Sequence, residues 1–234
     1  MESLSREYSP VFALHSQASM IDFRGHLSAL LFISGCNFRC GFCHNAALLH
    51  AEQRGLPWPD LTQTLRQFKS NWVTAATITG GEPTLSPHLP ELIEWLKSFD
   101  LAVKLDTNGS RPDMLRTVLP RVDYVAMDLK CGLERYPQLT GFAQTDALLE
   151  SIALIREEAK DYEFRTTVIE SIHDQAEIRR IVRLIPGARR YVLQPFVPQD
   201  DLPDPAFRAL PRTRPIILEN LAQIARESLP HVMI

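Results

Sequence analysis

Residues 27–45 read LSALLFISGCNFRCGFCHN, an apolar run that leads directly into three closely spaced cysteines. The apolar run predicts a buried β-strand of a parallel sheet, in which both faces of the strand are covered. Cys36, Cys40 and Cys43 follow with the spacing C-x3-C-x2-C. Such clustering indicates a metal or cluster site rather than a disulfide framework. The carboxyl end of a strand is also where α/β folds place their active sites.

Further apolar or β-branched runs alternate with helical patterns along the chain. Together with the first strand at 28–34 they make six strand candidates, the others at 73–79, 101–106, 122–129, 162–169 and 190–195. Alternating strands and helices predict right-handed βαβ units and a parallel sheet. About six units are fewer than the eight that close a full barrel. We therefore predict an α/β fold, a partial (β/α)6 TIM-like barrel with a lateral opening.

Two of the predicted helices have recognisable start signals. Ser86 as N-cap and Pro87 at the first helical position introduce one of them. Asp174 introduces the other, and Glu177 three residues later gives the pattern of a capping box.

The end of the chain predicts an extension of the barrel. Six prolines lie between 195 and 215, and an amphipathic stretch at 216–228 predicts a terminal helix that covers the barrel. We expect residues 1–234 to form a single domain, with a core at about 20–196 and a C-terminal helical extension at 197–234.

Composition excludes several classes of partner. The 234 residues are 45% hydrophobic and 23% charged, and their formal charge of −3 gives no general attraction for nucleic acid or acidic membranes. The apolar run at 27–34 is far shorter than the roughly 20 residues of a membrane span. The opening MESLSREYSP lacks the basic-then-apolar order of a secretory signal. We expect a cytoplasmic protein, in a compartment where thiols stay reduced.

Three thiolates suit an iron–sulfur cluster that binds a substrate. A [4Fe-4S] cluster on three cysteines keeps one iron without a protein ligand, whereas an electron-carrying cluster normally has four cysteines. The alternative is a zinc site completed by His44, which would make the chain a non-catalytic zinc-binding interaction module. His44 adjoins Cys43, however, and adjacent residues rarely reach one tetrahedral ion.

The cysteine spacing, with Phe42 before the third cysteine, resembles the signature of the radical S-adenosylmethionine (SAM) superfamily. Residues 21–45 resemble the opening of glycyl-radical-enzyme activating proteins, especially those of anaerobic ribonucleotide reductase, although Arg24 replaces the usual proline. The resemblance implies an oxygen-sensitive oxidoreductase with a [4Fe-4S] cluster on the three cysteines. It would cleave SAM reductively to a 5′-deoxyadenosyl radical. That radical would take a Cα hydrogen atom from a glycine of a protein substrate, with a flavodoxin or ferredoxin as reductant.

Polar motifs at the next strand ends extend the resemblance. Gly80-Gly81-Glu82 resembles the GGE motif, in which backbone and glutamate receive the ammonium group of SAM and the glycines let the backbone approach the ligand.

Pyruvate formate-lyase activating enzyme and its relatives carry DTNG and DLK at the following strand ends, as this chain does at 106–109 and 128–130. By resemblance, Asp106, Thr107 and Asp128 would be ligands of a monovalent cation beside SAM.

Further residues would bind SAM by the same resemblance. Asn108 belongs to the DTNG motif, Lys130 would pair with the carboxylate of SAM, and Arg165 matches an arginine near SAM. An arginine within an apolar strand also needs a partner, because an unpaired buried charge is costly. Gln194 is either a ligand contact or a buried structural amide, and Val197 stands where the best-known relatives have histidine.

The remaining cysteine pattern bears on the substrate. Cys131 has no partner in the sequence and is assigned no chemistry, and none of the 36 residues between Cys43 and Gly80 is cysteine. Auxiliary clusters are therefore not expected. A minimal barrel with an open side suits a protein substrate that inserts a loop. The alternative is a small-molecule substrate, as in the 7-carboxy-7-deazaguanine synthases, which also have short barrels.

Overall fold

The computed structural model describes residues 7–49 and 54–234 and contains an eight-stranded sheet. The strands are β1 Val11–Leu14, β2 Ser28–Ile33, β3 Ala75–Gly80, β4 Ala102–Thr107, β5 Tyr124–Asp128, β6 Tyr162–Val168, β7 Tyr191–Pro195 and β8 Val232–Met233. They lie in the sheet in chain order, with β1 antiparallel to β2 and every other neighbouring pair parallel. Among the described strands, β1 and β8 do not pair, so the sheet is open. The predicted partial TIM-like α/β barrel is confirmed.

Helices make the crossovers that a parallel sheet requires. They are α1 Trp58–Ser70, α2 Leu89–Lys97, α3 Pro112–Val118, α4 Tyr136–Thr140, α5 Thr145–Glu158, α6 Gln175–Leu184, α7 Pro205–Arg208 and α8 Pro215–Arg226. No helix in the described part of the chain has the length and apolar character that a membrane span requires.

All six predicted strands are present, as β2 to β7, with bounds within two residues of the prediction. The sequence analysis missed β1 and β8, which have four and two residues. Strands of two to four residues are too short to show a hydrophobic period. Both strands lie at the edges of the sheet.

One predicted helix start is wrong and the other is confirmed in part. The helix assigned to Ser86 and Pro87 begins at Leu89, because Ser86 instead ends a one-turn helix over 83–85. Asp174 caps α6 as predicted, since its Oδ1 accepts a hydrogen bond of 2.7 Å from the backbone N–H of Glu177. The Glu177 carboxylate does not complete the capping box; it accepts a bond of 2.6 Å from the N–H of Gly132.

Alternation along the strands places polar side chains inside the barrel. In β4, Val103 and Leu105 are fully buried in the apolar core, whereas Asp106 lines the internal cavity. Arg165 of β6 lines the same cavity. Because strand residues alternate between two faces, the barrel has an apolar outer layer and a charged interior.

The C-terminal extension packs on the cysteine loop, residues 35–45. The backbone N–H of Asp204 donates to the carbonyl of Gly41 at 3.0 Å, and the rings of Phe207 and Phe42 lie 5.5 Å apart. A Cβ at Gly41 would lie 2.7 Å from the Asp204 Cβ, so this approach requires glycine. The predicted terminal helix is present as α8, and the Pro-rich segment before it covers the cysteine loop.

Candidate active site

A cavity of about 360 Å³ lies at the carboxyl ends of the strands. Its volume is in the range of small-molecule and cofactor sites. Every site residue named from the sequence lines it: Cys36, Cys40, Cys43, Gly80, Gly81, Glu82, Asp106, Thr107, Asn108, Asp128, Lys130 and Arg165. The parallel sheet brings together residues that are far apart in the sequence.

The cysteine loop is held by its own backbone and by the side chain of Arg39. The N–H of Phe38 donates to Cys36 Sγ at 3.4 Å, and the N–H of Cys43 donates to the carbonyl of Cys40 at 3.2 Å. The Arg39 guanidinium donates to the carbonyl of Cys36 at 2.6 Å. These hydrogen bonds hold the backbone of the cysteine loop in place.

Three cysteine thiols line the cavity, and thiolates are the donors that iron–sulfur clusters use. In the described ranges, no three His, Cys, Asp or Glu side chains converge as ligands of one metal ion, although the three thiols line one cavity. Burial raises the pKa of Cys36 to about 11 and that of Cys40 to about 12. The thiols are therefore protonated at neutral pH, and they would release protons when iron binds as thiolate complexes.

The His44 side chain contacts the segment that follows β7. Its Nε2 donates to the carbonyl of Val197 at 2.7 Å, and its ring stacks on Phe196 with centroids 5.9 Å apart. Residue 44 therefore connects the cysteine loop to the end of β7, on the other side of the barrel. In the part of the chain that the structure describes, His44 and the cysteines do not form a group that could hold one metal ion.

The Glu82 carboxylate is buried, with 1% of the residue exposed, and accepts hydrogen bonds from two neighbouring loops. Its Oε1 accepts from the N–H of Thr84 at 3.0 Å and from the hydroxyls of Thr84 and Thr107, the latter at 2.8 Å. Its Oε2 accepts from the N–H of Asn108. Burial raises the pKa of Glu82 even though these bonds act in the opposite direction. The side chain thus joins the loops that follow β3 and β4.

The glycines of the GGE motif allow a close approach between loops. Gly80 has φ +124°, and a Cβ there would lie 2.3 Å from the carbonyl oxygen of Ile33. A Cβ at Gly81 would lie 2.1 Å from the carbonyl oxygen of Gly35. These glycines therefore let the GGE loop pack on the end of β2 and on the cysteine loop, and both also line the cavity, where their approach to a ligand stays a prediction.

Arg165 connects the two aspartates of the cavity. Its Nε lies 2.8 Å from Asp128 Oδ1, and its Nη1 lies 3.2 Å from Asp106 Oδ2. Lys130 Nζ lies 2.8 Å from Asp128 Oδ2. Burial alone would raise the pKa of Asp128, but Arg165 and Lys130 hold it well below its usual range. Arg165 therefore has the charged partners that a buried arginine requires, namely Asp106 and Asp128.

The three predicted cation ligands line the same cavity but make different contacts. Thr107 directs its hydroxyl to Glu82, on the opposite face of β4 from Asp106. Asn108 faces the cysteine loop, where its Nδ2 donates to Asn37 Oδ1 at 3.0 Å and lies 3.8 Å from Cys36 Sγ. Only the two aspartates share the charged interior.

Comparison with known proteins decides the family. The sequence model of the radical SAM superfamily matches residues 30–185, more than half of the chain. The chain belongs to the radical SAM superfamily. The match runs from β2 to the end of α6. It therefore includes the cysteine loop, the GGE, DTNG and DLK motifs, and Arg165.

Two relatives show how far the likeness extends. A Methanocaldococcus jannaschii protein described as a glycyl-radical enzyme activating enzyme is 30% identical over 224 residues, covering 92% of this chain and 92% of that protein. The 7-carboxy-7-deazaguanine synthase of Methanopyrus kandleri is 33% identical over 128 residues, covering 46% of this chain and 51% of that enzyme. The similarity to the activating enzyme therefore extends into the C-terminal part of this chain. The similarity to the 7-carboxy-7-deazaguanine synthase is confined to a part of the chain.

Solved structures share the fold. Streptococcus suis SuiB bound to the precursor peptide SuiA gives a TM-score of 0.68 at 18% identity, covering 88% of this chain and 48% of that chain. A domain of pyruvate-formate lyase-activating enzyme from Bacteroides vulgatus gives 0.53 at 16% identity, covering 68% of this chain and 97% of that one. At these identities the comparison establishes the radical SAM fold alone.

Further residues line the radical SAM cavity, and two of them, Thr167 and Asn45, were not named as site residues from the sequence. Thr167 lines the cavity. It lies two residues after Arg165 on the same strand and therefore on the same face, so this spacing could have identified it from the sequence. Asn45 donates from Nδ2 to the carbonyl of Gly80 at 2.9 Å, a contact between loops that no local pattern indicates. Gln194 lines the cavity and is exposed, so the alternative of a buried structural amide is wrong.

His173 makes the stability of the site depend on pH. Its Nε2 donates to the carbonyl of Lys130 at 2.9 Å and its Nδ1 accepts from the N–H of Ile169 at 3.0 Å, so the neutral ring is fully bonded. Burial lowers the pKa of His173 from its ordinary 6.5. The unfolded chain therefore binds this proton more readily, and the free energy of unfolding falls as the pH drops through that value.

We expect His173→Gln to reduce this pH dependence, measured by urea unfolding between about pH 7.5 and about pH 5.5. His15→Gln is the control, because His15 is exposed. An unchanged pH dependence in His173→Gln would contradict the assignment.

Proposed function

We propose that the chain is a radical SAM activase of a glycyl radical enzyme. One observation carries the proposal: the three cysteines and the GGE, DTNG and DLK residues line one cavity in a chain that resembles an activating enzyme over 92% of its length. Fold and family alone would allow many radical reactions.

The proposal gives each part of the cavity a role. Cys36, Cys40 and Cys43 would hold a [4Fe-4S] cluster and keep one iron open to SAM. Lys130, fixed on Asp128, would face the carboxylate of SAM. When bound, a reduced cluster and SAM would supply a 5′-deoxyadenosyl radical, a species able to abstract the Cα hydrogen atom of a glycine. The protein binds and orients these groups and excludes water, and none of its side chains acts as an acid or base.

We propose anaerobic ribonucleotide reductase as the substrate and a flavodoxin or ferredoxin as the reductant. The resemblance of residues 21–45 to the activating proteins of that reductase supports the first choice. The open sheet supports a protein substrate, because an inserted loop can close the cavity. A cytoplasmic location remains a prediction, and the predicted monovalent cation is open to test by the salt dependence of SAM binding.

The test is the formation of a glycyl radical. We expect the anaerobically reconstituted protein, with SAM and a reductant, to produce a glycyl EPR doublet on the anaerobic reductase of its source organism. The sample without SAM is the control. If no glycyl radical enzyme of that organism acquires the doublet, the proposal fails.

A small-molecule substrate is the second candidate. The local likeness to a 7-carboxy-7-deazaguanine synthase, at 33% identity, favours it. Rapid SAM cleavage with a small heterocycle and no protein partner would support this candidate. The activase proposal predicts instead that SAM cleavage is coupled to the protein substrate.

A further inference from the structure

Lys104 is a buried lysine to which the proposed function gives no role. It lies in β4, two residues before Asp106, and is 4% exposed. Its Nζ donates to the backbone carbonyl of Asp22 and lies 3.4 Å from Asp106 Oδ1 and 3.8 Å from Glu163 Oε1. A buried ammonium group needs such partners, because an unpaired charge is costly in a protein interior.

Lys104 begins a chain of alternating charges that ends in the SAM pocket. The distances along it are 3.4 Å from Lys104 to Asp106, 3.2 Å on to Arg165, 2.8 Å on to Asp128 and 2.8 Å on to Lys130. With Glu163, three cations and three carboxylates share the interior: Lys104, Arg165, Lys130, Asp106, Asp128 and Glu163. The group is neutral without an added ion.

Each of the four oxygens of Asp106 and Asp128 already has a cationic side chain within 3.4 Å. Asp106 Oδ1 is buried, accepts no hydrogen bond and has Lys104 Nζ 3.4 Å away. Asp106 Oδ2 and both oxygens of Asp128 are taken by Arg165 and Lys130. An ion beside Asp106 Oδ1 would therefore meet the ammonium group of Lys104.

Further contacts hold Lys104 in place. Its ammonium group lies 5.6 Å from the centre of the Tyr124 ring. The Tyr124 hydroxyl donates to Glu163 Oε2 at 2.8 Å, and Arg190 donates to that hydroxyl at 3.2 Å. Together with the carbonyl of Asp22, these contacts hold the charge at one place in the barrel.

We propose that Lys104 is a built-in cation that serves in place of a bound monovalent ion. It fixes Asp106 and, through Arg165 and Asp128, sets the position of the Lys130 ammonium group in the SAM pocket. Lys104 does not line the cavity and acts through other residues, so it is a positioning residue. This inference rests on the proposed SAM site.

The first test uses the wild-type protein with its cluster reconstituted. SAM binding is measured anaerobically by calorimetry in tetramethylammonium chloride, sodium chloride and potassium chloride at equal ionic strength. We expect the Kd to agree within about twofold among the three salts. Binding that requires sodium or potassium would overturn the inference.

The second test replaces the charge. Lys104→Met keeps most of the side-chain volume, and we expect SAM to bind about tenfold more weakly in tetramethylammonium chloride. Sodium or potassium should restore part of the affinity, because the carboxylates then lack their internal cation. Lys69→Met, on the exposed face of α1, is the control and should bind SAM like the wild type in every salt. An unchanged Kd in Lys104→Met without sodium or potassium would overturn the inference.

These outcomes separate the inference from the proposed function. Absence of SAM binding in all three salts would contradict the proposed function, whereas strong binding that depends on sodium or potassium would contradict the role of Lys104 alone. The wild-type comparison requires no variant, so it decides the matter even if Lys104→Met does not fold. The double variant Lys104→Met/Glu163→Gln removes one charge of each sign and offers a second test of SAM affinity.

Discussion

Replacing Cys43 with alanine should remove the cluster and SAM cleavage together. Cys43 is half-buried in the cysteine loop, so the substitution removes a thiol without disturbing a strand. Two thiolates cannot hold a [4Fe-4S] cluster stably. We expect about four irons per wild-type chain, fewer than about one in the variant, and loss of the absorbance near 400 nm.

Cys131→Ala is the matched control, because Cys131 is buried and lies outside the cysteine loop. It should keep its iron and its colour. A wild-type protein that is colourless and contains one zinc would instead favour the zinc-binding module, and retention of iron by Cys43→Ala would exclude the three-cysteine site.

Glu82→Ala should destabilise the fold and weaken SAM binding. The substitution removes the acceptor of four hydrogen bonds and deprives the buried N–H groups of Thr84 and Asn108 of their partner. The loss of charged hydrogen bonds at a buried site corresponds to roughly 3 kcal/mol in the free energy of unfolding. Because Asn108 also contacts Cys36, SAM affinity should fall as well.

The control is Glu94→Ala, since Glu94 is a solvent-exposed residue of α2 paired with Arg121. Exposed pairs contribute little, so its unfolding in urea should change by less than about 1 kcal/mol. If Glu82→Ala is as stable as Glu94→Ala but no longer binds SAM, then Glu82 contacts SAM directly rather than joining the two loops.

The hydrophobic period and the spacing of the motifs were sufficient to predict the fold from the sequence. The six central strands each contain five or more residues with clear apolar or β-branched character, and the motifs after them are short and specific. The edge strands β1 and β8 carry no comparable signal. The start of α2 was misplaced because Ser86 and Pro87 also suit a turn, and the structure has a one-turn helix immediately before them.

The residues of the site could be named from the sequence, but their contacts could not. Glu82 belongs to a motif whose resemblance implies contact with SAM, yet its oxygens bond to residues 25 and 26 positions further along the chain. In the sequence, Lys104 cannot be told from an ordinary strand lysine. In the fold, Glu163 of β6 lies beside its ammonium group. Such pairings depend on strand register, which one sequence does not specify.

The central claim is that one iron of a three-cysteine cluster is open to SAM. The most direct test is electron–nuclear double resonance on the reduced protein with SAM labelled with ¹⁵N at its amino group and ¹⁷O at its carboxylate. We predict that both labels couple to the cluster. A reduced cluster whose spectrum is unchanged by SAM, with no coupling to either label, would contradict the claim.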